Sequence, residues 1–301
     1  MLPLIAVARD GDARAVLPLR RVGRRIEALA NWYSFRVAPL VSHGADRDAM
    51  LAALARALAA QAPCVTLAPL PDEHGEASAL ERAFRTSGWF TVRERCDSNH
   101  VLEVQGRSFA AYIASRPGPL RSTLKRKAGK VAINLFSDFD EDAWSHYEHI
   151  YGLSWKPAEG SPAFLRRFAS EEGAAGRLRF GLASVDGKPV AAQFWTVEGG
   201  TAFIHKLAHD EAARAFSPGT ALTAALFEQV IDRDGVNLVD FGTGNDAYKR
   251  DWMEEVRPRY RIDAFRPLWP GNWPAMAKAL LRSRSARPLP PAPTLSRGAA
   301  L

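Results

Sequence analysis

Between Leu178 and Phe265 the residues follow an order that few folds accommodate. Leu178–Val185 puts Leu178, Phe180 and Leu182 on one face, as a strand does. Asp186-Gly187 is a two-residue hairpin turn into a partner strand at 190–197, and Gly199-Gly200 turns the chain again into 201–208. A loop then ends in Phe216-Ser217-Pro218-Gly219-Thr220. Leu222, Ala225, Leu226, Val230 and Ile231 follow at helical spacing. Strand 236–242, a short helix at 247–254 and a last strand at 260–265 complete the run. Three strands, a helix and a strand require one parallel neighbour pair in an otherwise antiparallel sheet, so the expected class is α/β with a mixed sheet.

The rest of the chain supplies similar pieces. Leu4–Ala8 and Ala15–Pro18 flank Asp10-Gly11-Asp12, a hairpin signal. Met50, Leu51, Leu54 and Leu58 mark one face of a helix over 46–61, and 64–70 reads as a buried strand. Residues 77–87 read as a helix and 89–104 as a strand pair or one long strand. Further helices are expected at 109–114, 120–127, 141–152 and 162–172, with a strand at 131–137. The two halves have the make-up of divergent copies of one α/β unit, divided near residue 105. The tail 283–301 is rich in Pro, Ser, Arg and Ala and reads as disordered.

At 301 residues and 47% hydrophobic content there is ample material for a core. The formal charge of +7 suits anionic partners, and equally an Ala- and Arg-rich chain with a basic surface. Two cysteines, Cys64 and Cys96, without CxxC or a His cluster, argue against a disulfide framework or a metal. The N-terminus lacks the charged start and long apolar stretch of a signal peptide. No run of about 18 apolar residues occurs, so no membrane span and a cytoplasmic location are expected.

Four segments could carry chemistry, and each also has a structural reading. Ser217-Pro218-Gly219-Thr220 opens a helix where backbone N–H groups and the helix dipole favour an anion, or is an ordinary capped start. Asp240 lies in an apolar run before Gly242-Thr243-Gly244; it either serves a site or holds the turn. Tyr248 and Lys249 offer a proton donor and a cation, while Tyr248 and Trp252 also share a helix face suited to packing. His205 and Lys206 occupy the strand before the Ser217 loop and should face opposite ways, with His205 beside Phe203 and Leu207 as a base or a core histidine. Trp155-Lys156-Pro157 either clamps a substrate or caps a helix.

In this order, Leu120–Lys127, Ser154-Trp155-Lys156, Ser217–Thr220 and Asp240-Phe241-Gly242 through Tyr248-Lys249 to Trp252 resemble the CelD/BcsL-like branch of the GCN5-related N-acetyltransferase (GNAT) superfamily, and more distantly the FemAB aminoacyltransferases. The likeness runs from about residue 109 to 265. It implies a GNAT fold in tandem, with an N-terminal half at 1–105 and an acyltransferase domain at 106–270. It implies transfer of an acyl group, acetyl above all, from a CoA thioester to an amine or hydroxyl acceptor that is a small molecule or saccharide-linked, as in exopolysaccharide biosynthesis. Asp240, Tyr248, Lys249 and His205 are then the catalytic candidates. Ser217, Pro218, Gly219, Thr220 and Arg214 would hold acetyl-CoA or another acyl-CoA, and Trp155, Lys156 and Trp252 the acceptor. No metal is implied. Two alternatives stand: a Fem-like enzyme using aminoacyl-tRNA, and a non-catalytic binding protein of the same fold. Nucleic acid is a partner only under the first.

Overall fold

A computed structural model describes residues 2–244 and 246–285. They form two units, one of residues 2–99 with 256–285 and the other of residues 100–255. The expected boundary at 105 thus falls at 99, and the last strand belongs to the first unit rather than the second.

The first unit opens with the antiparallel meander β1 (Leu2–Asp10), β2 (Ala13–Val22) and β3 (Arg25–Ala28), with the short β4 (Leu40–Val41) beside β2. Helix α1 (Arg47–Ala59) then crosses to β5 (Cys64–Leu70), which runs parallel to β3. Helix α1 buries Met50, Leu51, Leu54, Ala55 and Leu58, the face its periodicity marks. Helix α2 (Glu76–Thr86) packs on α1, and Phe84 meets Trp89 edge to face at 5.4 Å. Strand β6 (Phe90–Glu103) is one long strand, whose residues from 100 belong to the second unit. The last strand, β12 (Glu255–Phe265), pairs antiparallel with β5, Tyr260 opposite Leu70 and Phe265 opposite Cys64, which is why it joins this unit. Helix α9 (Trp273–Ser285) closes it. The expected disordered tail therefore begins inside a helix, and its residues 286–301 lie outside the described residues.

The second unit has the same strand order on a larger scale. Helices α3 (Phe109–Ala114) and α4 (Gly118–Lys127) lead to β7 (Ala132–Phe136), then α5 (Glu141–Gly152) and α6 (Pro162–Ala174). Strands β8 (Leu178–Val185), β9 (Lys188–Glu198) and β10 (Thr201–His209) form the meander, with Asp186-Gly187 and Gly199-Gly200 at positive φ in the two turns. Helix α7 (Pro218–Glu228), prolonged by a π turn over Gln229–Arg233, crosses to β11 (Leu238–Thr243), parallel to β10. The one-turn helix α8 (Lys249–Trp252) follows.

Side chains of β9 divide the helices between two faces. Phe194 meets Trp144 of α5 and Phe168 of α6, whereas Trp195, pointing the other way, meets Phe227 of α7. Leu222, Leu226 and Val230 lie fully buried on the inner stripe of α7. Tyr112 of α3 stacks on Phe227 and donates from its hydroxyl to the Trp252 carbonyl at 2.7 Å. Among the described residues, no helix is long and apolar enough to cross a membrane.

Helix α6 approaches its neighbour closely at Gly173, where a Cβ would stand 2.7 Å from the backbone nitrogen of Phe139. A backbone atom cannot swing aside as a side-chain tip can. Gly173→Ala is therefore expected to destabilise the protein by about 1–3 kcal/mol, the cost of overpacking. Urea unfolding measures it, and an unchanged midpoint would show that the contact is not tight.

Candidate functional site

Strands β10 and β11 pair over only three positions, Thr201 with Leu238, Ala202 with Val239 and Phe203 with Asp240, although β10 runs on to His209 and β11 to Thr243. The pairing ends where β10 bulges. Against β9, Ile204 stands opposite Trp195 and Lys206 opposite Phe194, so His205 is an extra residue.

The bulge breaks the expected alternation. His205 and Lys206 both lie on the side of α5 and α6. The His205 ring stacks on Phe194 at 5.0 Å and meets Phe168 edge-on at 5.1 Å, while Lys206 lies over Tyr151 at 5.6 Å. Leu207 packs instead in the cluster around α7, and His209 reaches the start of that helix. Burial holds the His205 pKa down to about 3, with the Lys206 charge adding to the effect. Thr196 shares a hydrogen bond of 2.8 Å with its Nε2. His205 is a neutral histidine in an aromatic cluster.

The segment before α7 is shaped by Ser217, whose φ of +52° is left-handed. It ends the turn Glu211–Phe216 and opens α7 with no side-chain cap, Pro218 taking the first helical position. The Ser217 hydroxyl accepts from Lys127 Nζ at 3.1 Å. The Gly219 carbonyl accepts from Gln193 and Thr223, at 3.1 and 2.8 Å. A Cβ at Gly219 would meet only His209 Nδ1, at 3.6 Å. Thr220 is half-buried and Arg214 exposed. Helix α1, at the equivalent place in the first unit, is capped by its own Asp46, which accepts from Ala49 N–H at 3.0 Å. A carboxylate there repels an anion; the start of α7 attracts one.

At the end of β11, Asp240 is buried and accepts from Gly242 N–H at 2.8 Å, a bond that fixes the glycine turn. Lys249 is buried too, donating to the Thr243 carbonyl at 2.5 Å and lying over Phe241 at 5.3 Å. Tyr248 meets Phe241 edge to face at 5.6 Å, and burial, then Asp246, raises its pKa so that the phenol stays protonated. Trp252 is a core residue, stacked on Phe227 at 5.1 Å and 5% exposed, and it presents no surface to an acceptor. Tyr112 also donates to its backbone carbonyl.

The loop between α5 and α6 reaches the end of β10. Trp155 packs on His209 at 4.7 Å. Lys206 pairs with Glu159 at 2.7 Å, both side chains under a tenth exposed at 8% and 9%. Burial lowers the pKa of Lys156 to about 8; Lys206 and Lys249 push the same way, Asp246 and Glu159 the other. Trp155, Lys156, His209 and the Gly219 backbone are thus neighbours, and the charges of Lys206 and Lys249 reach Lys156. Sequence reasoning missed His209 and Glu159. His209 ends a strand just before the Ser217 loop, a position that could have marked it.

Residues 121–250 match the family model described as an acetyltransferase (GNAT) domain. The fold is of the GNAT type. Solved GNAT-fold structures are similar over most of their length. FemX aligns over 87% of this chain and 88% of its own, with a TM-score of 0.62 at 11% identity. The C-terminal domain of a putative lysylphosphatidylglycerol synthetase from Agrobacterium fabrum aligns over 90% and 84%, with a TM-score of 0.57 at 14% identity. A tandem GNAT protein from the clavulanic acid biosynthesis pathway aligns over 85% and 83%, with a TM-score of 0.50 at 17% identity. No curated protein matches by sequence. The GNAT fold accounts for the mixed sheet and, in the tandem relative, for two copies of it.

His205 makes stability depend on pH. Its folded pKa lies near 3 and an exposed histidine titrates near 6.5, so the unfolded chain binds the extra proton. The stabilisation is full above pH of about 6.5 and is lost as pH falls below it. Melting temperature should drop between pH 7 and 5 more steeply in the wild type than in His205→Phe; parallel slopes would contradict the assignment.

Proposed function

We propose that the second unit transfers an acetyl group from acetyl-CoA to an amine or hydroxyl acceptor. The observation that carries this reading is the uncapped, glycine-containing start of α7, at the end of a strand that has parted from its parallel neighbour. An extended chain bearing amides fits between parting strands, because it can take up hydrogen bonds of the ladder type. Its pyrophosphate would meet the N–H groups of Gly219 and Thr220, with Lys127, Ser217 and Arg214 at the rim and His209 behind.

In the reaction the acceptor nitrogen or oxygen bonds to the thioester carbonyl carbon and releases its proton to solvent, the C–S bond breaks, and the sulfur leaves with a proton from Tyr248, which solvent then replaces. Tyr248 is the proton donor in this scheme, its raised pKa keeping the hydroxyl loaded. Lys249 supplies positive charge beside the glycine turn, and Asp240 holds that turn. His205 has no part in it, being enclosed by aromatic rings. Trp155 and Lys156 form the acceptor wall. Of the branches of the superfamily we favour the CelD/BcsL-like one, with a saccharide-linked acceptor in the cytoplasm, on the ordered motifs quoted above.

A second reading, aminoacyl-tRNA as donor, draws on exposed Lys125, Arg126 and Lys130, which extend the positive charge of Lys127 away from the α7 start. A polyanion would use this strip, and its binding would weaken steeply with salt.

Thermal shift tests the donor. Acetyl-CoA should raise the melting temperature of the wild type, the stabilisation following RT ln(1 + [L]/Kd). Gly219→Val should fold, since only His209 is near, yet gain little. No rise in the wild type, or an equal rise in the variant, would overturn the proposal. Tyr248→Phe should lower kcat by roughly 10²-fold, the usual loss with an acid–base group. Its melting temperature should hardly change; wild-type turnover would remove Tyr248 from the mechanism.

A further inference from the structure

The loop from Trp155 to Gly160 has an inverted polarity. Trp155, Pro157, Ala158 and Gly160 are exposed, while Lys156 and Glu159 turn inward. Glu159 is matched by Lys206 at 2.7 Å. Lys156 makes no ion pair within 4.0 Å among the described residues; its nearest ring is that of Trp155, at 5.6 Å. The charges of Lys206 and Lys249 act on Lys156 against those of Asp246 and Glu159, and Glu159 is already engaged by Lys206. A half-buried cation with no carboxylate in contact is costly, and an anion beside it lowers that cost. Burial above all, with Lys206 and Lys249 adding to it, brings the Lys156 pKa down to about 8.

We propose that Lys156 is the binding residue for a carboxylate or phosphate group on the acceptor, so that the acceptor is an anionic molecule. This rests on the reading of the Trp155 loop as the acceptor wall. The wall is anchored: the Trp155 ring packs on His209, whose Nδ1 faces Gly219 at the proposed donor cradle. Lys206 and Tyr151 lie below, and Lys206 adds long-range attraction while remaining bound to Glu159. Neutral acceptors would leave the Lys156 charge unmatched and are disfavoured by that term.

Isothermal titration of inorganic phosphate and, separately, of malonate into protein saturated with acetyl-CoA provides the test, with ionic strength held constant by NaCl. The wild type should bind at least one of the two anions. Lys156→Met should weaken that binding by about tenfold or more, the loss of a charge-assisted contact, and Lys156→Arg should largely retain it. The stronger of the two arms identifies phosphate or carboxylate as the group. Equal binding by wild type and Lys156→Met, or binding of neither anion by the wild type, would overturn the proposal. If acetyl-CoA fails to raise the wild-type melting temperature, the donor reading falls. The same titrations without acetyl-CoA then still decide the role of Lys156.

Discussion

Strand β10 carries one residue more than β9 can pair between Ile204 and Lys206, and the second unit is arranged around that surplus. A bulge adds twist and bends the strand away from its neighbour. Here it coincides with the end of pairing to β11 at Phe203 and Asp240, so the two parallel strands part before His209 and Thr243. It also reassigns the faces of β10. Lys206 joins the side of α5 and α6, and His209 arrives at the first turn of α7. Unbroken alternation along the same residues would put His209 across the sheet from that turn.

The two units share a meander, a crossover helix and a parallel strand, yet differ at the start of the crossover helix. Asp46 caps α1 with its own carboxylate. Ser217 adopts a left-handed conformation and leaves α7 without a side-chain cap. A good cap is worth about 1 kcal/mol, and a non-glycine residue in the left-handed region costs on the order of 1 kcal/mol. The second unit therefore forgoes local stability at the position where an anion would restore it. The first unit has settled the same position internally.

Much of the fold was legible because its signals are local. Asp186-Gly187 and Gly199-Gly200 have the residues that tight hairpins demand, and the stripe from Leu222 to Ile231 has helical period. The site was legible in part. Ser217–Thr220 does open a helix, and Asp240 does hold the glycine turn. The spacing of Tyr248 and Trp252 did mark a packing face, since both join the cluster around α7, and the acceptor role given to Trp252 is what its burial excludes. Two readings failed for one reason: they assumed regular elements and local pairing. Alternation put His205 and Lys206 on opposite faces, which a bulge abolishes. The last strand was assigned by its neighbours in sequence, although its partner, β5, lies almost 200 residues earlier. Long-range pairing and single-residue insertions leave no periodic trace.

Hydrogen exchange at the two helix starts tests the central claim most directly, that α7 rather than α1 receives the phosphates of the donor. On addition of acetyl-CoA, exchange should slow at Gly219 and Thr220 and stay unchanged at Arg47 and Asp48. Protection at the α1 start, or none at the α7 start with acetyl-CoA bound, would contradict it.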